Sequence, residues 1–267
     1  MPSFRLILCD ELEGRWNMAL DEAMMTLAEP DVITVRLYGW ASPCISIGHF
    51  QTIPRAVDLD SCRQMQLPIV RRPTGGRAVL HEQQIAYALV CSTSNPLAEG
   101  KTIDAYRRIS QILVRGLELL GKRPALAPRT PGAPRTVTAT LQACLQMHAQ
   151  HELLLDGKKL SGSAQLRRDG ALLQHGFLML EFNPQRTARA LRGKDSASLA
   201  RQLESHATSL RAALGRTSTF VEVRHALADA FQEALGPATG GASLSEAETT
   251  LATWLLNERY PTLGAEG

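Results

Sequence analysis

Segments with strand character crowd into the first 180 residues of this chain, and helical patterns take over after Phe182. Apolar residues alternate at Ile33, Val35 and Leu37, and short strand-like segments follow at 44–48, 68–72, 77–81 and 85–91. Because regular helices do not separate these segments, the order does not resemble alternating βαβ units. We therefore predict an α+β fold, in which a mixed β-sheet is packed with helices and a helical subdomain lies at the C-terminus.

The spacing of apolar residues predicts helices over 14–28, 102–120 and 220–235 and after Ser245. Thr102 is the expected N-cap of the second of these helices, and Ser245 with Glu248 forms a capping-box pattern before the last one. This division predicts a catalytic domain over residues 1–185 and a helical C-terminal extension over 186–267.

Residues 122–140 contain four prolines and four basic residues but no acidic residue. Because proline lacks a backbone N–H, the stretch is expected to be a mobile surface loop without a regular element. The segments after it, 152–155, 158–166 and 171–180, are separated by turn residues and predict an antiparallel meander.

Composition excludes several classes of protein. The net charge of +3 is too small to indicate a nucleic-acid binder, and the five cysteines lack any C-x-x-C pair, which argues against a disulfide framework or a zinc site. The N-terminal apolar run is too short for a signal peptide or a membrane span, so a cytoplasmic protein with reduced thiols is expected. Motifs typical of phosphate loops, dinucleotide sites and serine hydrolases are absent from the sequence.

Three segments have residues suited to ligand binding. The segment 71–81 places paired glycines between two strands, where backbone N–H groups can approach a ligand oxygen, although an ordinary hairpin turn has the same pattern. The segment 156–165 combines small residues, which leave a groove beside a strand, with Lys159, which either stabilises a developing negative charge at the groove's mouth or is simply solvated. The third segment, 173–176, contributes His175.

Together these segments resemble the lipoate-protein ligase and octanoyltransferase family, whose domain is related to biotin-protein ligases. The resemblance covers about residues 5–185 and rests on four motifs and a final Gln174-His175-Gly176, the motifs being Trp16-Asn17-Met18-Ala19-Leu20-Asp21-Glu22, Gly48-His49-Phe50-Gln51, Arg71-Arg72-Pro73-Thr74-Gly75-Gly76-Arg77-Ala78-Val79-Leu80-His81 and Lys159-Leu160-Ser161-Gly162-Ser163-Ala164-Gln165. It implies a mixed sheet with helices packed on it, in agreement with the pattern of the elements.

Within this family, ligases activate free lipoate with ATP, and octanoyltransferases take an acyl group from acyl carrier protein. The branch that is most similar uses a cysteine eight residues before a glutamate, and Cys144 stands eight residues before Glu152. The resemblance therefore implies transfer of an octanoyl or lipoyl group through a Cys144 thioester, with Lys159 as the second catalytic residue and no required cofactor or metal. The residues around Cys144 differ from the family pattern, so an ATP-dependent ligase and a catalytically silent acyl-binding homologue remain alternatives.

The resemblance also assigns a substrate site. An apolar tunnel lined by Val79, Leu80 and Ala86 is expected to hold the eight-carbon chain. The substrate-binding residues around it are expected to be Arg72, Gly75, Gly76, His81, Gly162, Ser163, Ala164 and His175. The implied partners are octanoyl-acyl carrier protein and lipoyl-domain proteins, both acidic as families, with neither nucleic acid nor membrane involved. A monomer is expected because the sequence carries no signal for oligomers.

Overall fold

The structure is a computed structural model that describes residues 2–128, 150–193, 195–239 and 243–261. Its strands are β1 (Ser3–Leu12), β2 (Val32–Trp40), β3 (Cys44–Ile47), β4 (Ile69–Arg71), β5 (Val79–His81), β6 (Gln84–Ser92), β7 (Ala125–Leu126), β8 (Leu153–Leu155), β9 (Lys158–Lys159), β10 (Ser161–Arg168) and β11 (Ala171–Met179). Its helices are α1 (Gly14–Thr26), α2 (Ile53–Ala56), α3 (Leu59–Gln64), α4 (Thr102–Leu119), α5 (Pro184–Ala190), α6 (Ser196–His206), α7 (Leu210–Leu214), α8 (Phe220–Leu235) and α9 (Glu246–Glu258). None of the helices in these described ranges is long and apolar enough to cross a membrane.

The central element is a five-stranded mixed sheet in the order β1-β2-β6-β11-β10. Strands β1 and β2 are parallel, and the other neighbours in this sheet are antiparallel. Two smaller sheets flank it, one in the order β4-β3-β5 and one in the order β7-β8-β9. The arrangement confirms the predicted α+β fold with a mixed sheet.

Both faces of the central sheet are buried. Successive side chains of a strand point to opposite faces, so each strand contributes to two cores. In β6, Tyr87 and Leu89 enter a core shared with α4 and α8, whereas Ala86 and Ala88 enter a core shared with α1 and α9. A third apolar cluster joins the β4-β3-β5 sheet to α5 and α6. The helices after residue 183 therefore pack on the two sheets that carry the sequence motifs, α8 and α9 on the central sheet and α5 and α6 on the β4-β3-β5 sheet.

Several predicted elements are confirmed with small shifts at their ends. The apolar helices appear as α1, α4, α8 and α9, and the side chains of Ser245 and Glu248 cap the start of α9 as the pattern predicts. The prediction of Thr102 as the N-cap of α4 was wrong. Thr102 is the first residue of the helix, and Lys101 is the N-cap, whose backbone N–H donates to the Asp104 carboxylate.

Two predictions for the middle of the chain need correction. The stretch 122–140 was expected to lack regular structure, but Ala125–Leu126 form β7, because Leu153 and Leu154 of β8 offer a backbone edge to pair with. The predicted meander also divides at Leu160, since β9 belongs to the sheet with β8 whereas β10 pairs with β11 in the central sheet. The remainder of the predicted loop, from residue 129 onwards, lies outside the described residues.

Candidate functional site

A cavity lies where helix α1, the central sheet and the β4-β3-β5 sheet meet. It is lined by Met18, Tyr38, Trp40, Ser46, Arg72, Gly76, Val79, His81, Gly162, Ser163, Ala164, His175, Gly176 and Phe177. The three candidate segments, which lie up to about a hundred residues apart in the chain, thus meet around one space.

Seven of the eight predicted substrate-binding residues line this cavity, and Gly75 does not. Of the three residues predicted to line the tunnel, Val79 is in the wall, whereas Leu80 borders a different surface pocket and Ala86 is not among the lining residues. The sequence analysis did not assign Met18 to the site, although it lies in the first motif, and it missed Tyr38, Trp40, Ser46 and Phe177, which lie outside the quoted motifs.

The Gly75–Gly76 turn is held in place by Arg72. The Nε and Nη2 atoms of Arg72 donate to the Gly75 carbonyl at 3.1 and 2.9 Å, and Nη2 also donates to the Arg77 carbonyl at 2.8 Å. Gly76 has φ +101°, which side-chain-bearing residues rarely adopt, and it packs against Gly48 so closely that a Cβ on Gly48 would lie 2.1 Å from the Gly76 carbonyl oxygen. These contacts fix the backbone that forms one side of the cavity.

His81 is kept as a neutral ring. Its Nδ1 lies 2.9 Å from Gln84 Oε1, whose amide nitrogen already donates to the Leu80 carbonyl, so Nδ1 is the donor. Its Nε2 then accepts from Ser46 Oγ at 2.8 Å, while Ser46 Oγ accepts from Arg72 at 3.0 Å. Burial lowers the pKa of His81 to about 3, against the weaker upward effect of Gln84, and nearby Arg72 and His175 lower it further.

His175 belongs to a second buried network, which the sequence did not reveal. Its Nδ1 lies 2.9 Å from Asp21 Oδ2, and its Nε2 lies 2.7 Å from Thr74 Oγ1. Asp21 in turn pairs with the buried Arg36 at 3.0 Å and accepts from the Tyr38 hydroxyl at 3.0 Å. The network ties α1, β2, β11 and the turn of the 71–81 segment together behind the cavity wall.

The floor of the cavity is formed by small residues of β10 and β11. Ser163 lies opposite Gly176 in the register of the two strands, and Tyr87 donates to Ser163 Oγ at 2.8 Å. A Cβ on Gly176 would lie 2.4 Å from Ser163 Oγ and 2.5 Å from the Gly162 carbonyl oxygen. The space beside this strand pair therefore depends on glycine at 176.

Lys159 is buried rather than exposed at a groove's mouth. Its side chain is 1% exposed, and its Nζ lies 2.7 Å from Glu152 Oε2, which is also buried. Lys159 is not among the residues that line the cavity, but it lies in β9, two residues before the start of β10. A buried ion pair of this kind holds both charges in fixed positions.

The cysteines of the described ranges do not line the cavity. Burial raises the pKa of the Cys44 and Cys91 thiols to about 12 and that of Cys62 to about 11, so these thiols stay protonated. Cys9 is half-buried and accepts a hydrogen bond from Arg36 Nε at 3.3 Å. Cys144, the predicted nucleophile, lies outside the described residues.

The described residues contain no group of three or more His, Cys, Asp and Glu side chains that could hold a metal ion. The two cavity histidines have both ring nitrogens in hydrogen bonds to other side chains. Whether the reaction requires a cofactor stays a prediction from the sequence.

Comparison with known proteins identifies the class. The family model of the lipoyl protein ligase A/B catalytic domain matches residues 13–232, and the chain belongs to this family. Octanoyltransferase LipM of Kyrpidia tusciae is 38% identical over 262 residues, which cover 96% of each chain, and that of Clostridioides difficile is 39% identical over 196 residues, which cover 73% of this chain and 72% of the relative. The predicted resemblance is confirmed, and the chain is an acyltransferase.

Solved structures confirm the fold. One similar structure is that of a bipartite lipoate protein ligase and its E2 lipoyl domain from Thermoplasma acidophilum. It has a TM-score of 0.77 at 23% identity, and the match covers 97% of this chain and 93% of the other. A lipoate-protein ligase A bound with ATP has a TM-score of 0.77 at 23% identity, covering 96% and 95%. At this identity the likeness establishes the fold of the chain.

Proposed function

We propose that this enzyme transfers an octanoyl group from acyl carrier protein to a lysine of a lipoyl domain, as a step of lipoate biosynthesis, through a thioester on Cys144. Octanoyl transfer is supported by the relatives named octanoyltransferase LipM, which align over nearly the whole chain. The acyl carrier protein donor, the lipoyl-domain acceptor and the cysteine step come from the sequence resemblance.

The observation that carries the cysteine assignment is the state of the other four cysteines. Three are buried and protonated, and none of the four lines the cavity. This state of the other four cysteines supports the assignment of the nucleophile to Cys144, which the resemblance implies. Leu153, which follows residues 129–149, lies next to the site. Its backbone N–H donates to Ser161 Oγ at 3.3 Å, and Ser161 is two residues from Ser163 of the cavity floor.

The reach of the chain permits this assignment. Cys144 stands six residues before Gln150, where the described part of the chain resumes, and six residues of extended chain span up to about 20 Å. This reach supports the assignment, because Leu153 is bonded to Ser161, two residues from Ser163 of the cavity.

The proposed reaction has two steps. The Cys144 thiolate attacks the carbonyl carbon of the octanoyl thioester, the bond to the carrier's sulfur breaks, and the carrier leaves as a thiolate that takes up a proton. The unprotonated amine of the acceptor lysine then attacks the new thioester, the bond to Cys144 sulfur breaks, an amide forms, and the proton of the attacking amine replaces the acyl group on sulfur or passes to water. The first step exchanges one thioester for another and the second is downhill, so the reaction needs no nucleotide.

Lys159 is proposed to assist both steps. A cysteine with its ordinary pKa of about 8.5 is only a few per cent thiolate at neutral pH, and a nearby ammonium lowers that pKa and stabilises the oxyanion. The ion pair with Glu152 would keep the ammonium in one orientation, so that little reorganisation is needed when negative charge develops.

The acyl group is proposed to lie against the cavity residues predicted from the sequence, which are Arg72, Gly76, His81, Gly162, Ser163, Ala164 and His175, with Gly75 shaping the turn. The apolar wall against the acyl chain is formed by Trp40, Val79 and Phe177. Each buried methylene contributes about 0.8 kcal/mol, so the depth of the apolar part would select for chain length.

The proposal is tested by intact-mass measurement after incubation with octanoyl-acyl carrier protein. We expect a mass increase of one octanoyl group on the wild-type chain and on Cys9→Ser, and none on Cys144→Ser. An ATP-dependent ligase would instead form an adenylate from free lipoate and remain active as Cys144→Ser. A silent acyl-binding homologue would retain the acyl ligand without turnover in either assay.

A further inference from the structure

Phe50 is an apolar side chain held in solvent by a rigid loop. Its side chain is 88% exposed, the highest value among the large hydrophobic residues of the described ranges. Arg71 Nη1 donates to the carbonyls of Gly48, His49 and Gln51 at 3.1, 3.0 and 2.6 Å. Gln51 closes the loop, since its Oε1 accepts from the Gly48 N–H at 3.0 Å. The backbone that carries the ring is thus held in one conformation, which reduces the entropy lost when a partner covers the ring.

The loop is attached directly to the rim of the cavity. The backbone N–H of His49 donates to the Thr74 carbonyl at 2.9 Å, and Gly48 packs against the Gly76 carbonyl. Gly76 is both exposed and part of the cavity lining, so it marks the mouth. Phe50 stands two residues from this contact, and its Cα therefore lies within about 8 Å of that of Gly48.

The surroundings of Phe50 are basic. The chain segments 48–57 and 71–81, which contain the loop and the turn that it contacts, have no acidic residue, and Asp58 and Glu82 follow directly after them. Arg71 and Arg77 flank the turn, and the Nε of Arg77 is buried without a hydrogen-bond partner among the described residues. We use the term Phe50 surface for the group His49, Phe50, Arg71, Gly76 and Arg77. An exposed aromatic anchor beside arginines is the composition of a protein-binding hot spot for an acidic partner.

We propose that the Phe50 surface docks the lipoyl domain that accepts the acyl group, an inference that rests on the proposed function. The reason is reach: a lysine side chain is a four-carbon stem that spans only roughly 6 Å, so the acceptor's backbone has to lie against the cavity mouth. The prosthetic arm of an acyl carrier protein is much longer and does not require contact at the rim. The acidic character of lipoyl domains complements the basic rim.

The first test is binding, which does not depend on any acyl transfer. An isolated lipoyl domain with an unmodified lysine is titrated calorimetrically into wild type, Phe50→Ala and Trp254→Ala, the last being a matched control because Trp254 is 59% exposed on α9. We expect Phe50→Ala to raise Kd about tenfold or more, as the loss of a hot-spot aromatic does, and Trp254→Ala to bind as the wild type does. Equal Kd values for the two variants would overturn the proposal.

The second test separates this proposal from the proposed function. Enzyme loaded by a small octanoyl thioester is mixed with either the lipoyl domain or a free lysine derivative. Phe50→Ala should load normally and react normally with the small amine, but transfer to the domain at subsaturating concentration should slow about tenfold or more. If Phe50→Ala also slows loading or the small amine, Phe50 acts within the chain and the docking proposal fails. If the wild type does not load at all, the proposed function fails, and the binding titration still decides the docking surface.

Discussion

At the scale of single residues, the cavity uses its histidines as fixed hydrogen-bonding parts rather than as free bases. His81 is bonded to Ser46 and Gln84, and His175 is bonded to Thr74 and Asp21. With both nitrogens engaged, each ring holds a wall of the cavity in position.

The state of His81 predicts a dependence of stability on pH. Its pKa of about 3 in the folded chain lies below the ordinary value of about 6.5, so the unfolded chain binds the extra proton between these values. The contribution of His81 to the free energy of unfolding is therefore complete above about pH 6.5. It is lost as the pH falls towards 3, by at most about 1.4 kcal/mol per pH unit. Denaturant unfolding of wild type and His81→Asn from pH 7 to pH 4 should show a shallower decline in the variant; parallel curves would contradict this.

A substitution at Gly176 tests the floor of the cavity. Gly176→Ala would bring a Cβ to 2.5 Å from the Gly162 backbone carbonyl oxygen, so the strands have to separate, and we expect a loss of about 1–3 kcal/mol in the free energy of unfolding together with weaker acyl binding. Gly75→Ala is the stability control, because a Cβ there meets nothing within 4 Å. Denaturant melts of both variants provide the measurement, and equal stabilities would show that the floor can adjust.

Sequence patterns identified the residues that carry the motifs but not the polar network behind them. Thr74 and Asp21 lie inside recognised motifs, yet nothing in the local sequence pairs them with His175 or with Arg36, which come from other strands. The burial of Lys159 was missed for the same reason, since its partner Glu152 lies across a turn and the exposure of a strand lysine is the ordinary expectation. Cavity walls such as Trp40 and Phe177 are apolar residues whose role is set only by tertiary packing.

At the scale of elements, helix α1 shows why periodicity alone gave an incomplete picture. The apolar residues Met18 and Met24 are buried as predicted, but Asn17, Asp21 and Glu22 are buried as well. Their partners come from distant elements: Arg36 lies in β2, and Glu22 pairs with Arg168 at 2.8 Å, with Arg259 at 3.0 Å and with the Tyr260 hydroxyl. A helix buried on most sides by a sheet and by α9 needs polar residues that match its neighbours.

The contact between Glu22 and Tyr260 predicts that the C-terminus stabilises α1. Tyr260 is buried, and its hydroxyl donates to the Glu22 carboxylate. Tyr260→Phe should lower the free energy of unfolding by about 1.5–3 kcal/mol, because a hydrogen bond to a buried charge is lost. Trp254→Phe, an exposed position on α9, is expected to change it by less than about 0.5 kcal/mol. Denaturant unfolding distinguishes the two, and an unchanged midpoint for Tyr260→Phe would show that the contact contributes nothing.

At the scale of the whole molecule, the C-terminal helices complete the cores of the sheet. Val223, Leu227 and Phe231 of α8 belong to the same buried cluster as Tyr87 and Leu89 of β6. Helix α8 packs on α4 so closely that a Cβ on Gly116 would lie 2.7 Å from Leu227 Cδ2. The division at residue 185, made from the sequence, describes where strands give way to helices along the chain, whereas the packing crosses it.

Truncation tests whether residues 1–185 fold alone. We expect the fragment to lack a cooperative unfolding transition, because removal of α8 exposes one face of the central sheet to water. In the full chain, Leu227→Ala should lower the free energy of unfolding by about 2–5 kcal/mol. Near-ultraviolet circular dichroism with denaturant titration reports both, and a sharp transition in the fragment would establish an autonomous domain.

The pairing of β7 with β8 has a consequence for how the family can vary. The backbone N–H of Ala127 donates to the Glu152 carbonyl at 2.8 Å, and that of His151 donates to the Ala127 carbonyl at 2.9 Å, so the chain leaves and re-enters the sheet at adjacent points. Between stems joined in this way, a flexible connection would cost only about 0.6 kcal/mol more for each doubling of its length. Insertions and deletions between these stems can therefore accumulate during evolution while the sheet stays intact, and a designer can graft new peptide there at little cost to folding.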